Sequence, residues 1–204
     1  MRKTVYVVVA SGAFALGTAA LVSPADAPAE EGAAAAPATA EEQAAEASAE
    51  RALAARRLAA RQIKLIDRYR LETWRWQRLM GKPRSPTSYS ARRSPNPDYR
   101  RWVVNLWRKR AVSARRQAQR PPRFGAWRCI QRHEGAWNDP NPPYYGGLQM
   151  DIHFQRLYGS ELLRRKGTAD RWTPLEQMWV AERAYRSGRG FYPWPNTARF
   201  CGLI

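Results

Sequence analysis

From Ala49 to Met80 the chain contains neither glycine nor proline, and alanine, arginine and leucine dominate the run. Those residues lose little on entering a helix. Leu53, Leu58, Ile63, Ile66, Tyr69 and Leu71 recur at roughly helical spacing, so the pattern predicts one long helix that stops at Gly81-Lys82-Pro83. A helix of that length must find a partner for its apolar stripe. The next segment offers one: after a loop rich in Ser, Pro and Arg over 83–96, residues from Pro97 or Asp98 to Gln119 again have helical period, and Pro121-Pro122 ends them. Asp98 suits the positive end of that second helix. Trp74, Trp76 and Leu79 in one segment echo Trp102, Leu106 and Trp107 in the other. Tryptophan and leucine at this spacing predict a helical hairpin with the indoles as its core. The competing reading turns the indoles outward as a stacking surface flanked by arginines.

Charge is segregated along the chain. Residues 1–50 hold 2 basic and 7 acidic side chains, residues 51–125 hold 22 and 3, and residues 126–204 hold 11 and 7, giving −5, +19 and +4 of the net +18. A basic block of this density attracts polyanions. The N-terminus narrows which ones. Arg2-Lys3 precede an uncharged run from Thr4 to Val22, and small residues follow, an order that predicts a secretory signal over 1–29 cut after Ala29. The alternative is an uncleaved anchor, since the run approaches a spanning length. Either way the remainder is expected outside the cell, with anionic cell-wall polymers rather than nucleic acid as partners of 51–125, and membrane contact only through an uncleaved anchor. Residues 30–48, rich in Ala and Glu and poor in large apolar side chains, are expected to be a linker or a marginal helix.

Cys129 and Cys201 are the two cysteines. In an oxidising compartment an even pair predicts a disulfide, closing a loop of about 73 residues and worth on the order of 4 kcal/mol in the chain-entropy model. A metal site would have only His133 and His153 to add, and a catalytic thiol would look to His133, four residues from Cys129.

The segment 123–204 changes character. A short helix is expected over Ala126–Glu134, then a turn-rich stretch through Pro143, then a bent strand region, Tyr144-Tyr145-Gly146-Gly147-Leu148-Gln149-Met150. Asp151 is placed to cap a helix through Tyr158. Thr173-Pro174-Leu175-Glu176 has the cap, the first-turn proline and the glutamate three residues on of a complete helix start, and Gly188 is expected to close that helix. The fold class is therefore α+β, mainly α, with a compact C-terminal domain at 123–204 preceded by a helical basic region at 49–122.

These residues carry a resemblance. Trp127, Glu134-Gly135, Trp137, the Tyr144–Met150 run, Glu176-Gln177, Val180-Ala181-Glu182-Arg183, Trp194-Pro195 and Cys201, spanning residues 124–204, are similar to the transglycosylase-like domain of resuscitation-promoting factors. The resemblance implies a small lysozyme-like fold that cleaves the MurNAc–GlcNAc glycan of peptidoglycan, needs no cofactor, and works in the cell wall or outside the cell. It implies Glu134 as catalytic acid, with Tyr144, Tyr145, Gly146, Gly147 and Gln149 lining the glycan cleft. Trp137 and Trp194 are candidates for stacking on sugar rings.

The chemistry fits a single carboxyl. Cleaving a glycosidic bond needs a proton for the leaving oxygen, hence an acid still protonated near neutral pH. A glutamate ending a helix beside Ala136, Trp137 and an aromatic strand is expected to be partly desolvated, which favours that form. Lysozymes of the c type carry an aspartate just before the Tyr-Gly of the matching strand, and here that position is Tyr144. Without a nucleophile on the far face of the sugar, a retaining two-carboxylate mechanism lacks its second half. Glu134 would act as acid and then base while the MurNAc 6-hydroxyl attacks C1, giving a 1,6-anhydro product. Hydrolysis by water is the alternative, with Asp139 or Asp151 as a second carboxylate, and so is a non-catalytic wall-binding or signalling role. One departure stands out: the family pattern puts its first cysteine directly before the glutamate and its second one residue after Trp-Pro. Here His133 precedes Glu134, Cys129 lies one helical turn back, and five residues separate Pro195 from Cys201. The two shifts are expected to compensate.

Overall fold

The computed structural model describes residues 39–87 and 90–204. By backbone proximity the chain divides into Met1–Gln43 and Ala44–Ile204. Of the first unit only Thr39–Gln43 are described, and they open the long helix. The expected signal or anchor falls outside the described residues. Among the described residues no helix is long and apolar enough to cross a membrane.

The described residues are mainly helical, with one two-stranded sheet among them. Helix α1 spans Ala40–Leu79, the short α2 Ser90–Arg93 and α3 Pro97–Ala118. Helix α4 spans Phe124–Glu134, strands β1 and β2 Tyr144–Tyr145 and Met150–Asp151, and α5 Ile152–Lys166. Helix α6 covers Pro174–Ala184 and α7 Pro195–Phe200. A helix thus begins at Ala40, inside the stretch expected to be a linker or a marginal helix, and runs unbroken into the long one; alanine-rich sequence without proline carries the helical backbone that far upstream. The 83–96 loop also contains α2, which lay outside the expectation.

Helices α1 and α3 form the expected hairpin. Ile66, Val103 and Trp107 are buried together, and the Trp74 and Trp107 rings meet edge to face at 6.3 Å. Asn96 caps α3 through the amides of Asp98 and Tyr99, and Pro97 occupies the first turn. Trp102 alone among the expected hairpin indoles turns outward, 59% exposed and stacked on Tyr99 at 6.0 Å. Leu53 and Leu58 are also exposed. Leu71, in the paired half, is 59% exposed as well, so the stripe holds as a face only from Ile63 through Tyr69; α1 is also nearly twice as long as α3, and its first half has nothing described to cover it.

The hairpin and residues 123–204 are packed together. Met80, Ala114, Ala118 and Trp179 form a shared buried cluster, and the Trp179 indole donates to the Ala118 carbonyl at 2.6 Å. The open carbonyls at the end of α1 are taken by two arginines of the C-terminal region: Arg183 donates to Leu79 O at 3.0 Å and Arg186 to Met80 O at 2.9 Å. Burial pushes the Arg183 guanidinium down to about 10, with Arg186 adding to the effect and Glu161 opposing it. It remains charged at neutral pH, and its further bond to Tyr158 O, 2.7 Å, helps offset the desolvation.

The C-terminal core is larger and aromatic. Trp127 sits at its centre against Phe191, Trp194 and Tyr185, with ring centroids at 5.1, 5.3 and 6.4 Å. A fully buried Glu182 grips the start of α4: it accepts the Arg123 amide at 3.0 Å, the Arg123 guanidinium at 2.8 Å and the Trp127 indole at 2.8 Å. At α6 the expected capping box is present in both directions, Thr173 with Glu176. Asp151 caps α5 by accepting from Phe154 N at 2.6 Å. Helix α5 runs past Tyr158 to Lys166, bending at Gly159. At Gly188 the backbone forms a π-type turn over Tyr185–Arg189.

Candidate active site

Glu134 is the last residue of α4 and is half-buried. Three features fix its helix. Glu182 holds the first turn, as described. Gly135 caps the end, its amide donating to Gln131 O at 3.1 Å, while the Gln131 side chain returns a 2.8 Å bond to Gly135 O. Between them Cys129 is bonded to Cys201, just past α7, with Cα atoms 6.1 Å apart. The predicted disulfide is therefore present, and it ties the C-terminal tail to the helix that ends in Glu134. His133 packs its ring on Phe200 at 4.1 Å. The Cys129, His133 and Cys201 donor atoms lie within 4.8 Å of one another, but both sulfurs are committed to the disulfide.

The carboxyl of Glu134 has two unlike oxygens. Oε1 accepts a 2.7 Å hydrogen bond from the Thr197 hydroxyl on α7. Oε2 has no bond to any described residue.

Beyond Gly135 the chain turns back through Asp139 to the strand pair. Tyr144 faces Asp151 and Tyr145 faces Met150 across the sheet. The residues between the strands form a tight bend whose side chains interlock with the turn before them. Asp139 is the hub. Its Oδ2 accepts from Gln149 Nε2 at 2.9 Å, its Oδ1 from the Asn141 amide nitrogens, backbone at 3.1 Å and side chain at 2.5 Å, and its carbonyl from Gly146 N at 2.8 Å. Gln149 also donates to Gly146 O at 3.0 Å. Both partners of that amide nitrogen are pure acceptors, so the amide orientation is fixed and Oε1 of Gln149 is left without a partner among the described residues. Gln149 is also the one described non-glycine residue with positive φ, +46°, a conformation that costs energy and is held by this network. A Cβ placed on Gly135 would stand 3.1 Å from Gln149 Nε2 and 3.3 Å from Asp139 Oδ2. The Asp139–Gln149 pair therefore abuts the residue next to Glu134.

The expected cleft residues divide into two sets. Tyr144 is exposed, and Tyr145, Gln149 and Trp137 are half-buried, so each has surface to offer a ligand. Trp194 departs from the expectation of a sugar-stacking ring. It is only 4% exposed, donates its indole N–H to Leu148 O at 2.6 Å, and is packed against Trp127 and Phe154. Neither face is open. Gly146 and Gly147 are buried too, and the close approach they allow is internal. A Cβ on Gly146, where φ is +72°, would lie 2.6 Å from Gln177 Oε1, and one on Gly147 would lie 2.9 Å from Trp137 Cε3. Gln177, one helix away, completes this packing by donating to Trp137 O at 2.7 Å and Ala169 O at 2.8 Å.

Of the two aspartates considered as a second carboxylate, Asp151 is occupied as a helix cap and Asp139 stands beside Gly135. Thr197 and Gln177 were not singled out from sequence. Gln177 had one signal, its place directly after Glu176 in the resembling motif. Thr197 had another: it is the one hydroxyl side chain between Pro195 and Cys201. A cavity of about 890 Å³ lies elsewhere, between the end of α1 and α5, and none of the residues around Glu134 lines it.

No family model, curated protein or solved structure matches this chain.

Proposed function

We propose that residues 123–204 form a lysozyme-like domain, resembling that of resuscitation-promoting factors, which cleaves the glycan of peptidoglycan with Glu134 as its acid. One observation supports this most: a half-buried carboxyl at the fixed end of a helix, with one oxygen held and the other without a partner among the described residues, beside an aromatic turn that carries an unpaired amide oxygen. In this reading Glu134 protonates the glycosidic oxygen as the C1–O bond breaks, leaving an oxocarbenium-like centre. The MurNAc 6-hydroxyl then bonds to C1 and gives its proton to the same carboxylate, so acid and base are one group and the product end is 1,6-anhydro. Gln149 Oε1 accepts from a substrate hydroxyl or acetamido N–H, and Tyr144 stacks on a ring. No cofactor enters the chemistry.

A second reading, hydrolysis, has one observation in its favour: Asp139, a carboxylate held rigidly near Gly135, is a candidate base for an attacking water. Mass spectrometry of fragments released from purified peptidoglycan separates the two, because anhydro ends are lighter than reducing ends by one water. The same assay tests the whole proposal. Glu134→Gln should lower release by orders of magnitude in a protein with unchanged near-ultraviolet circular dichroism. Undiminished release from that variant would overturn the assignment, and wall pelleting without any cleavage by the wild type would leave a non-catalytic binder.

The exposed arginines of α3, among them Arg101, Arg108, Arg115 and Arg116, support a companion proposal: in an exported protein the hairpin holds anionic wall polymers close to the catalytic region.

A further inference from the structure

Thr197 belongs to α7, the six-residue helix that fills the lengthened segment between Trp194 and Cys201. Its hydroxyl oxygen lies 2.7 Å from Glu134 Oε1 and 3.3 Å from the carbonyl of Trp194, three residues earlier. The second contact is the local back-bond that a threonine hydroxyl ordinarily makes in a helix. The first crosses 63 residues of sequence and is the shorter. A hydroxyl has one proton to give, and a carboxylate oxygen competes for it better than a carbonyl does.

We propose that Thr197 is a positioning residue that assigns the acid proton of Glu134 to Oε2. While the hydroxyl donates to Oε1, that oxygen is satisfied as an acceptor, and a proton placed on it would turn toward Thr197 rather than toward a substrate. The proton then resides on Oε2, the oxygen without a partner among the described residues, and leaves from there to the glycosidic oxygen. When the carboxylate recovers a proton from the attacking hydroxyl, the same donation directs it again to Oε2. The disulfide serves this arrangement directly, since Cys201 follows α7 by one residue and fixes the helix against Cys129 on α4. On this view the tail lengthening and the cysteine shift are one device: a turn of helix added to reach the acid, and a bond moved one turn back to hold it.

The inference rests on the proposed glycan cleavage for its consequence, but its geometry is tested apart from it. Infrared difference spectra between each protein and its Glu134→Gln counterpart isolate the Glu134 carboxylate band in the full chain. Thr197→Val keeps the shape of the side chain and removes the donor, and should shift that band. Thr197→Ser restores the donor and should return it to the wild-type position. On glycan, Thr197→Val should lower kcat roughly 10- to 100-fold with KM unchanged, and Thr197→Ser should recover most of the loss. An unmoved band in a folded Thr197→Val protein, or a serine variant no better than the valine one, would overturn the proposal. If the wild type cleaves no glycan, the functional reading fails on its own, and the infrared band still decides whether Thr197 holds Oε1.

Discussion

The helical hairpin and the C-terminal region solve the same packing problem with unequal means. The hairpin buries Ile66, Val103 and Trp107 between two helices and leaves Trp102 and the first half of α1 in solvent. The C-terminal region closes five rings, those of Trp127, Phe154, Tyr185, Phe191 and Trp194, over one another and staples the result with a disulfide and a buried carboxylate. The difference teaches where each region keeps its chemistry. A thin core with a long charged surface suits contact with a polymer, whereas a dense core suits holding one side chain in one place.

The comparison can be broken in several ways. The largest effect belongs to Trp127→Ala, expected to cost about 3–5 kcal/mol in chemical denaturation, against no more than about 0.5 kcal/mol for Trp102→Ala. Equal losses would erase the distinction between the regions. Next comes Cys201→Ser, expected to cost roughly 2–5 kcal/mol and to lower glycan release with it. A stability loss without an activity loss would separate the staple from the acid.

A smaller effect concerns acid pH. Glu161 ties the C-terminal region to Arg78 of α1, and Glu176 ties Lys166 at the end of α5 to the start of α6. Burial raises both carboxyls, but Arg78 and Arg165 on Glu161, and Lys166 and Thr173 on Glu176, outweigh it and leave each below the ordinary value of 4.5. A folded value below the unfolded one means stability that is complete above pH 4.5 and is lost as pH falls through the folded values. Melting temperature should therefore drop below that pH, and Glu176→Gln should flatten the drop; an unchanged acid slope in the variant would remove Glu176 from the account. Least of all in stability is reversal of surface charge. Arg108→Glu with Arg116→Glu, in a Glu134→Gln background, should hardly move the melting temperature. It should weaken co-sedimentation with cell walls at low salt, a binding that fades as screening approaches a Debye length of about 10 Å at 0.1 M. Wall binding that ignores both salt and these arginines would leave the hairpin a packing element alone.

What was legible in the sequence was local. The Thr173–Glu176 box, the Asp151 cap and the stop at Gly81 each depend on residues within one turn, and each is where the pattern put it. The disulfide was legible from an even pair of cysteines together with the expectation of an oxidising compartment. The partners across distance were not. Nothing near Glu182 in the sequence announces Arg123 and Trp127, and nothing near Gln177 announces the carbonyl of Trp137, because such pairs are set by the closing of the fold. Trp194 failed as a sugar platform for the same reason: an indole looks alike in sequence whether its face meets a core or a ligand. Periodicity likewise named the apolar face of α1 without saying how far a partner would extend along it.

Helix α4 is restrained at its start by Glu182, in its middle by Cys129 and at its end by Thr197. A segment with three fixed points has few degrees of freedom left to give when a ligand arrives. The turn beside it is held as closely, since Gln149 keeps its positive φ of +46° within the Asp139 network. Under the proposed function both sides of the site are set before a substrate arrives, so selection would rest on fit to a preformed shape rather than on closure around the ligand.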